Sequence, residues 1–60
     1  MARILVLDDD QGMRELMEIM LTKEGYDVTS ADDPSKAITL CRKIDFDLVI
    51  TDLRLSLIHI

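Results

Sequence analysis

The sequence has little cysteine, few basic residues and no long apolar run, and each shortage excludes a class of protein. Its single cysteine, Cys41, has no partner for an internal disulfide, which fits a reducing compartment. No apolar run is longer than about five residues, too short for a membrane span. Seven Lys and Arg residues stand against twelve Asp and Glu. We therefore expect no direct nucleic-acid partner, because phosphate neutralisation needs clustered bases.

The length of the chain limits it to one domain. A chain of 60 residues buries only roughly 60% of the surface that its unfolded form exposes. Its start, Met1-Ala2-Arg3, leads directly into a strand-like segment, so we expect no secretory signal. A small acidic protein without a membrane span and with one cysteine is predicted to be cytoplasmic.

The hydrophobic pattern predicts three strands. Ile4–Leu7 and Leu48–Thr51 are continuous apolar segments, typical of parallel strands that are buried on both faces. Tyr26–Ala31 alternates between apolar and polar residues, which indicates an edge strand with one face in water.

Two helices are predicted between these strands. The first runs from Met13 to Glu24 and ends before Gly25, a residue suited to a left-handed cap. The second begins at Asp33-Pro34, since Asp caps free amides and Pro is tolerated at the first helical position. Helical spacing predicts that the first helix buries Met13, Leu16, Met17 and Met20 and keeps Arg14 and Glu18 outside, and that the second buries Ala37, Ile38, Cys41 and Ile44.

Alternating strands and helices predict an α/β fold with a parallel sheet and right-handed crossovers. We predict a flavodoxin-like, doubly wound arrangement, truncated to strand, helix, strand, helix, strand, with strand order 2-1-3. In that order a crevice opens between the carboxyl ends of strands 1 and 3, and ligands bind there.

Acidic residues follow both of the strands that border this crevice. Asp8 and Asp9 come after the first strand, and Asp52 comes after the third. Close carboxylates repel one another, and a divalent cation resolves that conflict. Oxygen ligands without His or Cys favour Mg²⁺ or Ca²⁺. A metal with open positions beside a free carboxylate suits phosphoryl transfer, with the carboxylate as nucleophile.

Four stretches of the sequence together carry a family resemblance: Ile4–Asp10, Met13–Leu16, Glu24–Val28 and Asp47–Arg54. They resemble the receiver domain of bacterial two-component response regulators. The resemblance covers about Ala2 to Arg54, and the first helix and the Asp-Leu-Arg sequence look most like receivers of nitrogen-regulator-class transcription activators.

The resemblance implies a phosphoacceptor signalling domain and not an enzyme. Asp52 would accept a phosphoryl group from a sensor histidine kinase or a phosphotransfer protein. Asp8 and Asp9 would hold Mg²⁺ together with Asp52 and the backbone carbonyl of Arg54. In the full-length protein the output domain would be a transcription activator.

The sequence also departs from the family. A receiver has five strands, whereas three are predicted here, and the fourth-strand Ser or Thr and the fifth-strand Lys are absent. We therefore interpret residues 1–54 as the N-terminal part of a receiver domain. Residues 55–60 (Leu-Ser-Leu-Ile-His-Ile) look foreign to the family, and we expect a non-native tail there.

Two other interpretations stay open. Asp8-Asp9-Asp10 contains the Asp-x-Asp spacing of haloacid-dehalogenase-like phosphatases, in which Asp8 would carry the phosphate. That interpretation leaves Asp52 unexplained. The second open interpretation is a flavodoxin-like scaffold fragment that binds no ligand. Within the acidic run, Asp10 is the residue best suited to cap the first helix.

Overall fold

The structure, a computed structural model, describes residues 1–51. Within them, three strands alternate with two helices, as the sequence predicts. The elements are β1 (Arg3–Leu7), α1 (Gln11–Lys23), β2 (Asp27–Ala31), α2 (Pro34–Lys43) and β3 (Leu48–Thr51).

The three strands form one parallel sheet in the order β2-β1-β3, which confirms the predicted flavodoxin-like topology. Leu7 is the register partner of Ala31 on one side and of Thr51 on the other. All three strands therefore end at the same edge of the sheet. The two crossovers run in opposite directions across the sheet, and right-handed crossovers of that kind place α1 and α2 on opposite faces.

The core lies around β1. Ile4, Leu5 and Val6 are each at most 3% exposed, because β1 has a strand on both edges and a helix over each face. Leu5 packs with Ala31 and Ala37 under α2. A continuous apolar strand in the middle of a parallel sheet is what the sequence pattern indicated.

Helix α1 begins two residues earlier than predicted, because Asp10 acts as its N-cap. The Asp10 carboxylate accepts a hydrogen bond from the backbone N–H of Met13, at 3.2 Å. At the other end of the helix, Gly25 has a φ of 94°, which confirms the predicted left-handed cap. Asp33 and Pro34 begin α2 in the predicted roles, with Asp33 accepting from the N–H of Lys36 at 2.9 Å.

The predicted buried face of α1 is wrong. Three of its four apolar residues are about half exposed: Met13 at 45%, Leu16 at 49% and Met20 at 53%. The less exposed residues lie on the neighbouring stripe, one position further along the helix. They are Arg14, Met17, Glu18 and Leu21, so Arg14 and Glu18 are not on the outer side either.

The predicted buried stripe of α2 is half right. Ala37 is buried and Ile44 is half-buried, but Ile38 is 55% exposed and Cys41 is exposed. Leu40 packs against the core in their place. Ala37, Leu40 and Ile44 follow one another at three- and four-residue steps, and Ile38 lies about 100° around the helix from Ala37.

Strand β3 is less covered than predicted. Leu48 is 53% exposed and Val49 is 45% exposed, although a strand buried on both faces was expected. In the part of the chain that the structure describes, both helices pack over β1 and β2, and β3 pairs with β1 alone. Neither of the two helices is long and apolar enough to cross a bilayer.

Candidate functional site

The predicted site lies at the carboxyl edge of the sheet. The turn between β1 and α1 holds Asp8, Asp9 and Asp10, directly after Leu7. Beside it, β3 ends at Thr51, the register partner of Leu7. The remaining predicted site residues, Asp52 and Arg54, follow β3 in sequence and lie outside the described residues.

Asp8 is held at three of its atoms. Its backbone N–H donates to the carbonyl of Ala31 at 3.2 Å, and its own carbonyl accepts from Nη1 of Arg14 at 3.0 Å. Its carboxylate oxygen Oδ1 accepts from the N–H of Asp10 at 2.9 Å. Asp8 is half-buried, and its carboxylate is oriented by the hydrogen bond from the Asp10 N–H.

The three adjacent acids have different environments. Asp10 uses its carboxylate to cap α1, as predicted. Asp9 is exposed, between the anchored Asp8 and the capping Asp10. Capping of α1 therefore accounts for Asp10, the last acid of the run.

The donor set suits a hard cation. Two adjacent carboxylates, with neither His nor Cys beside them, are the kind of ligand that Mg²⁺ takes along with several waters. Residues 1–51 bring together no group of three His, Cys, Asp or Glu side chains able to hold a metal. The predicted site also includes Asp52, which lies outside the described residues.

A second polar cluster lies in the turn between β2 and α2. Nζ of Lys36 and Oδ1 of Asp32 form an ion pair at 2.9 Å, and this hydrogen bond lowers the pKa of Asp32 and raises that of Lys36. The backbone N–H of Lys36, followed by the hydroxyl of Ser35, lowers the pKa of Asp33. These contacts start α2, so we assign this cluster to capping.

One residue of the site was missed from the sequence. Arg14 was expected to point outward beside Glu18, but it is half-buried and donates a hydrogen bond to the carbonyl of Asp8. Arg14 lies in the first turn of α1 and shares a helical stripe with Met17, three residues later. This spacing was the sequence signal that could have placed Arg14 on the less exposed side of the helix.

A cavity lies away from these acids. It has a volume of about 220 Å³ and is lined by Arg3, Asp27, Thr29, Ile44 and Phe46. Arg3 and Asp27 begin β1 and β2, so this cavity opens near the amino ends of the strands.

With this geometry established, comparison with known proteins identifies the family. The sequence model of the response regulator receiver domain matches residues 4–59. The chain belongs to this family. Receiver domains are the signalling domains of two-component systems, so the family favours the receiver interpretation over a phosphatase one.

Several curated response regulators are similar to this receiver. DNA-binding response regulator MtrA of Mycolicibacterium smegmatis is 45% identical over 53 residues, which are 88% of the chain and 23% of that protein. Transcriptional regulatory protein GlrR of Escherichia coli K12 is 39% identical over 55 residues, which are 92% of the chain and 12% of that protein. MtrA of Mycobacterium tuberculosis H37Rv is 43% identical over 53 residues, again 88% and 23%. No solved structure matches the chain.

The chain is much shorter than the curated relatives that it matches. The chain spans about a quarter or less of the length of these relatives. The division between receiver residues 1–54 and a foreign tail at 55–60 stays a prediction, and the tail lies outside the described residues.

Proposed function

We propose that this receiver accepts a phosphoryl group on Asp52 from a sensor histidine kinase or a phosphotransfer protein. Asp8, Asp9, Asp52 and the backbone carbonyl of Arg54 hold Mg²⁺ beside the phosphoacceptor. The domain acts as a switch and not as an enzyme with a substrate of its own. The whole protein then couples phosphorylation to an output.

The transfer is a displacement at phosphorus. A carboxylate oxygen of Asp52 forms a bond to the phosphorus of phosphohistidine while the P–N bond breaks, and the electron pair of that bond returns to the imidazole nitrogen. When bound, Mg²⁺ neutralises charge on the phosphoryl oxygens. Asp8 and Asp9 supply carboxylate oxygens at the edge of the sheet, and the hydrogen bond from the Asp10 N–H keeps the Asp8 carboxylate oriented.

The register between β1 and β3 is the observation that carries the proposal. Leu7 and Thr51 are partners in parallel strands, and acids follow both of them in sequence. Parallel strands that end at one edge direct the residues after them toward the same crevice, where open α/β sheets bind ligands. Membership of the receiver family supports the same roles.

The proposed output is transcriptional. Phosphorylation would shift an equilibrium between two conformations that exist beforehand, and this would change what the protein binds. All three relatives described above are named for DNA binding or transcriptional regulation, which supports a transcriptional output in the full-length protein. The receiver itself, with a net charge of -5, is not proposed to contact nucleic acid or membrane, and we propose that it acts in the cytoplasm.

A phosphorylation experiment tests the assignment of Asp52. The protein is incubated with a small radiolabelled phosphodonor, with and without Mg²⁺, as wild type and as Asp52→Asn, Asp8→Asn and Asp45→Asn. Asp45 lies in the link between α2 and β3, so Asp45→Asn removes one carboxylate away from the site. We expect Mg²⁺-dependent labelling of the wild type and of Asp45→Asn, none of Asp52→Asn, and strongly reduced labelling of Asp8→Asn.

The other interpretations give different patterns. Label retained by Asp52→Asn and lost by Asp8→Asn would contradict the receiver assignment and favour the phosphatase nucleophile. No label in any variant, with no shift of backbone amides on titration with Mg²⁺, would favour a scaffold that binds neither metal nor phosphate.

A further inference from the structure

Arg14 holds the peptide group that joins the two proposed metal-binding acids. Its Nη1 donates to the carbonyl oxygen of Asp8 at 3.0 Å, and this contact is partly buried. That oxygen belongs to the peptide unit between Asp8 and Asp9. Since a peptide unit is planar, fixing its oxygen also fixes the direction of the Asp9 N–H and restrains the angle between the two carboxylates.

Arg14 also anchors the other end of the turn. Its backbone N–H donates to the carbonyl of Asp10 at 3.0 Å, the first hydrogen bond of α1. One residue therefore binds two carbonyls of the acidic turn, Asp8 through its side chain and Asp10 through its main chain. The backbone of Arg14 is fixed in α1, and its long side chain extends back to the carbonyl of Asp8.

We propose that Arg14 is a positioning residue, which sets the geometry of the Asp8 and Asp9 carboxylates for Mg²⁺. The proposal rests on the proposed function, because it needs those acids to bind the metal. Arg14 is itself a cation and has no ligand atom to offer, so it acts through the peptide that it holds. Contacts of this kind behind metal ligands are typically worth about 10–100-fold in metal affinity.

The charge of Arg14 and its hydrogen bond act on the metal in opposite directions. A guanidinium next to the site repels Mg²⁺, so loss of its charge alone would tighten binding. Loss of the hydrogen bond frees the peptide between the acids and weakens binding. The sign of the change in affinity therefore tells the two roles apart.

Titration with Mg²⁺, followed by backbone amide shifts in ¹⁵N-labelled protein, measures this sign. The first variant is Arg14→Met, which keeps an apolar stem and a high helix propensity but has no hydrogen-bond donor in its side chain. The second is Arg14→Lys, which keeps the positive charge and can donate a hydrogen bond from its ammonium group. Lys23→Met is the matched control, because it removes a cation from the far end of the same helix. We expect about tenfold weaker binding in Arg14→Met, partial recovery in Arg14→Lys, and a change below about twofold in Lys23→Met.

A measurement without metal reports the turn directly. The amide of Asp10 donates to Oδ1 of Asp8, so its hydrogen exchange reports whether the turn is held. We expect faster exchange at this amide in Arg14→Met and the wild-type rate in Lys23→Met. Thermal unfolding of each variant shows whether a loss of affinity comes from a loss of fold.

Each outcome decides the proposal. Binding in Arg14→Met that is as tight as in wild type, or tighter, would overturn the positioning role and leave the metal site intact. Weaker binding that merely parallels a fall in the unfolding temperature, with unchanged exchange at Asp10, would overturn it too. No Mg²⁺ binding by the wild type would overturn both this proposal and the proposed metal site.

Discussion

Leu7 and Thr51 are direct partners in the parallel ladder between β1 and β3, so these two strands end at the same level of the sheet. Asp8 comes after one of them in the chain and Asp52 after the other. A shift of the register by one residue would turn every side chain of β3 to the opposite face. The acidic site that we propose therefore depends on this one pairing.

The acidic turn allows a test of which carboxylate binds the metal. We expect Asp9→Asn to weaken Mg²⁺ binding about tenfold or more, because it removes a charged oxygen ligand. Asp10→Asn removes the same charge from the next position but keeps the helix cap, since Asn caps as well as Asp. Its effect should stay below about threefold in calorimetric titration. Equal losses in the two variants would show that affinity follows net charge instead of a particular ligand.

The strand order and the position of Asp8, Asp9 and Asp10 directly after β1 could be predicted because they depend on strong, local signals. Ile4–Leu7 is continuously apolar and ends in a run of Asp, which describes a central parallel strand and its end. Right-handed crossovers then leave few arrangements. The caps at Asp10 and Asp33 were predicted for the same reason, since each depends on a few neighbouring residues.

The faces of the helices depended on packing that the pattern does not contain. Helix α1 has apolar residues on two adjacent stripes, one with Leu16 and Met20 and one with Met17 and Leu21. The stripe with Met17 and Leu21 is the less exposed of the two. Arg14 lies on that same stripe, and its side chain donates a hydrogen bond to the carbonyl of Asp8. The placement of Asp52 relative to Asp8 is a tertiary property, on which sequence can offer only a prediction.

The core around β1 gives a clear prediction about stability. Leu5 is 0% exposed and packs with Ala31 and Ala37, so we expect Leu5→Ala to lower the free energy of unfolding by about 2–5 kcal/mol. Leu48→Ala makes the same chemical change at a side chain that is 53% exposed, and about 1 kcal/mol or less is expected. Urea denaturation followed by circular dichroism measures both. Similar losses at the two positions would contradict a core centred on β1.

The cap after α1 gives a prediction about backbone conformation. Gly25 has a φ of 94°, and an added Cβ would meet no atom within 4 Å, so a side chain there is strained by the backbone and not by a clash. We expect Gly25→Ala to lower the free energy of unfolding by about 1–2 kcal/mol.

Gly12→Ala is the matched control for this substitution. Gly12 lies inside α1, where Ala is favoured by helix propensity, although an added Cβ would lie 3.3 Å from the Asp10 side chain. A change of less than about 1 kcal/mol is expected from these opposing effects. A loss at Gly12 as large as that at Gly25 would contradict the assignment of the left-handed cap.

The cap of α2 predicts a dependence of stability on pH. The backbone N–H of Lys36, followed by the hydroxyl of Ser35, holds the pKa of Asp33 below its ordinary value of 3.8. A carboxyl with a lowered folded pKa stabilises the fold above its unfolded pKa, and that stability is lost as the pH falls through the folded pKa. The free energy of unfolding should therefore decrease as the pH is lowered below about 4.

Two substitutions at Asp33 separate the charge from the cap. Asp33→Asn still caps α2 but does not titrate, so its stability should fall less steeply than that of the wild type over this acid range. Asp33→Ala should show the same shallower slope and should also be less stable at pH 7, because it loses the cap. Urea denaturation at a series of pH values measures both effects. If the stability of Asp33→Asn fell with pH as steeply as that of the wild type, the acid sensitivity would belong to other carboxyl groups. Asp32, which is paired with Lys36 and has a lowered pKa, would then be substituted next.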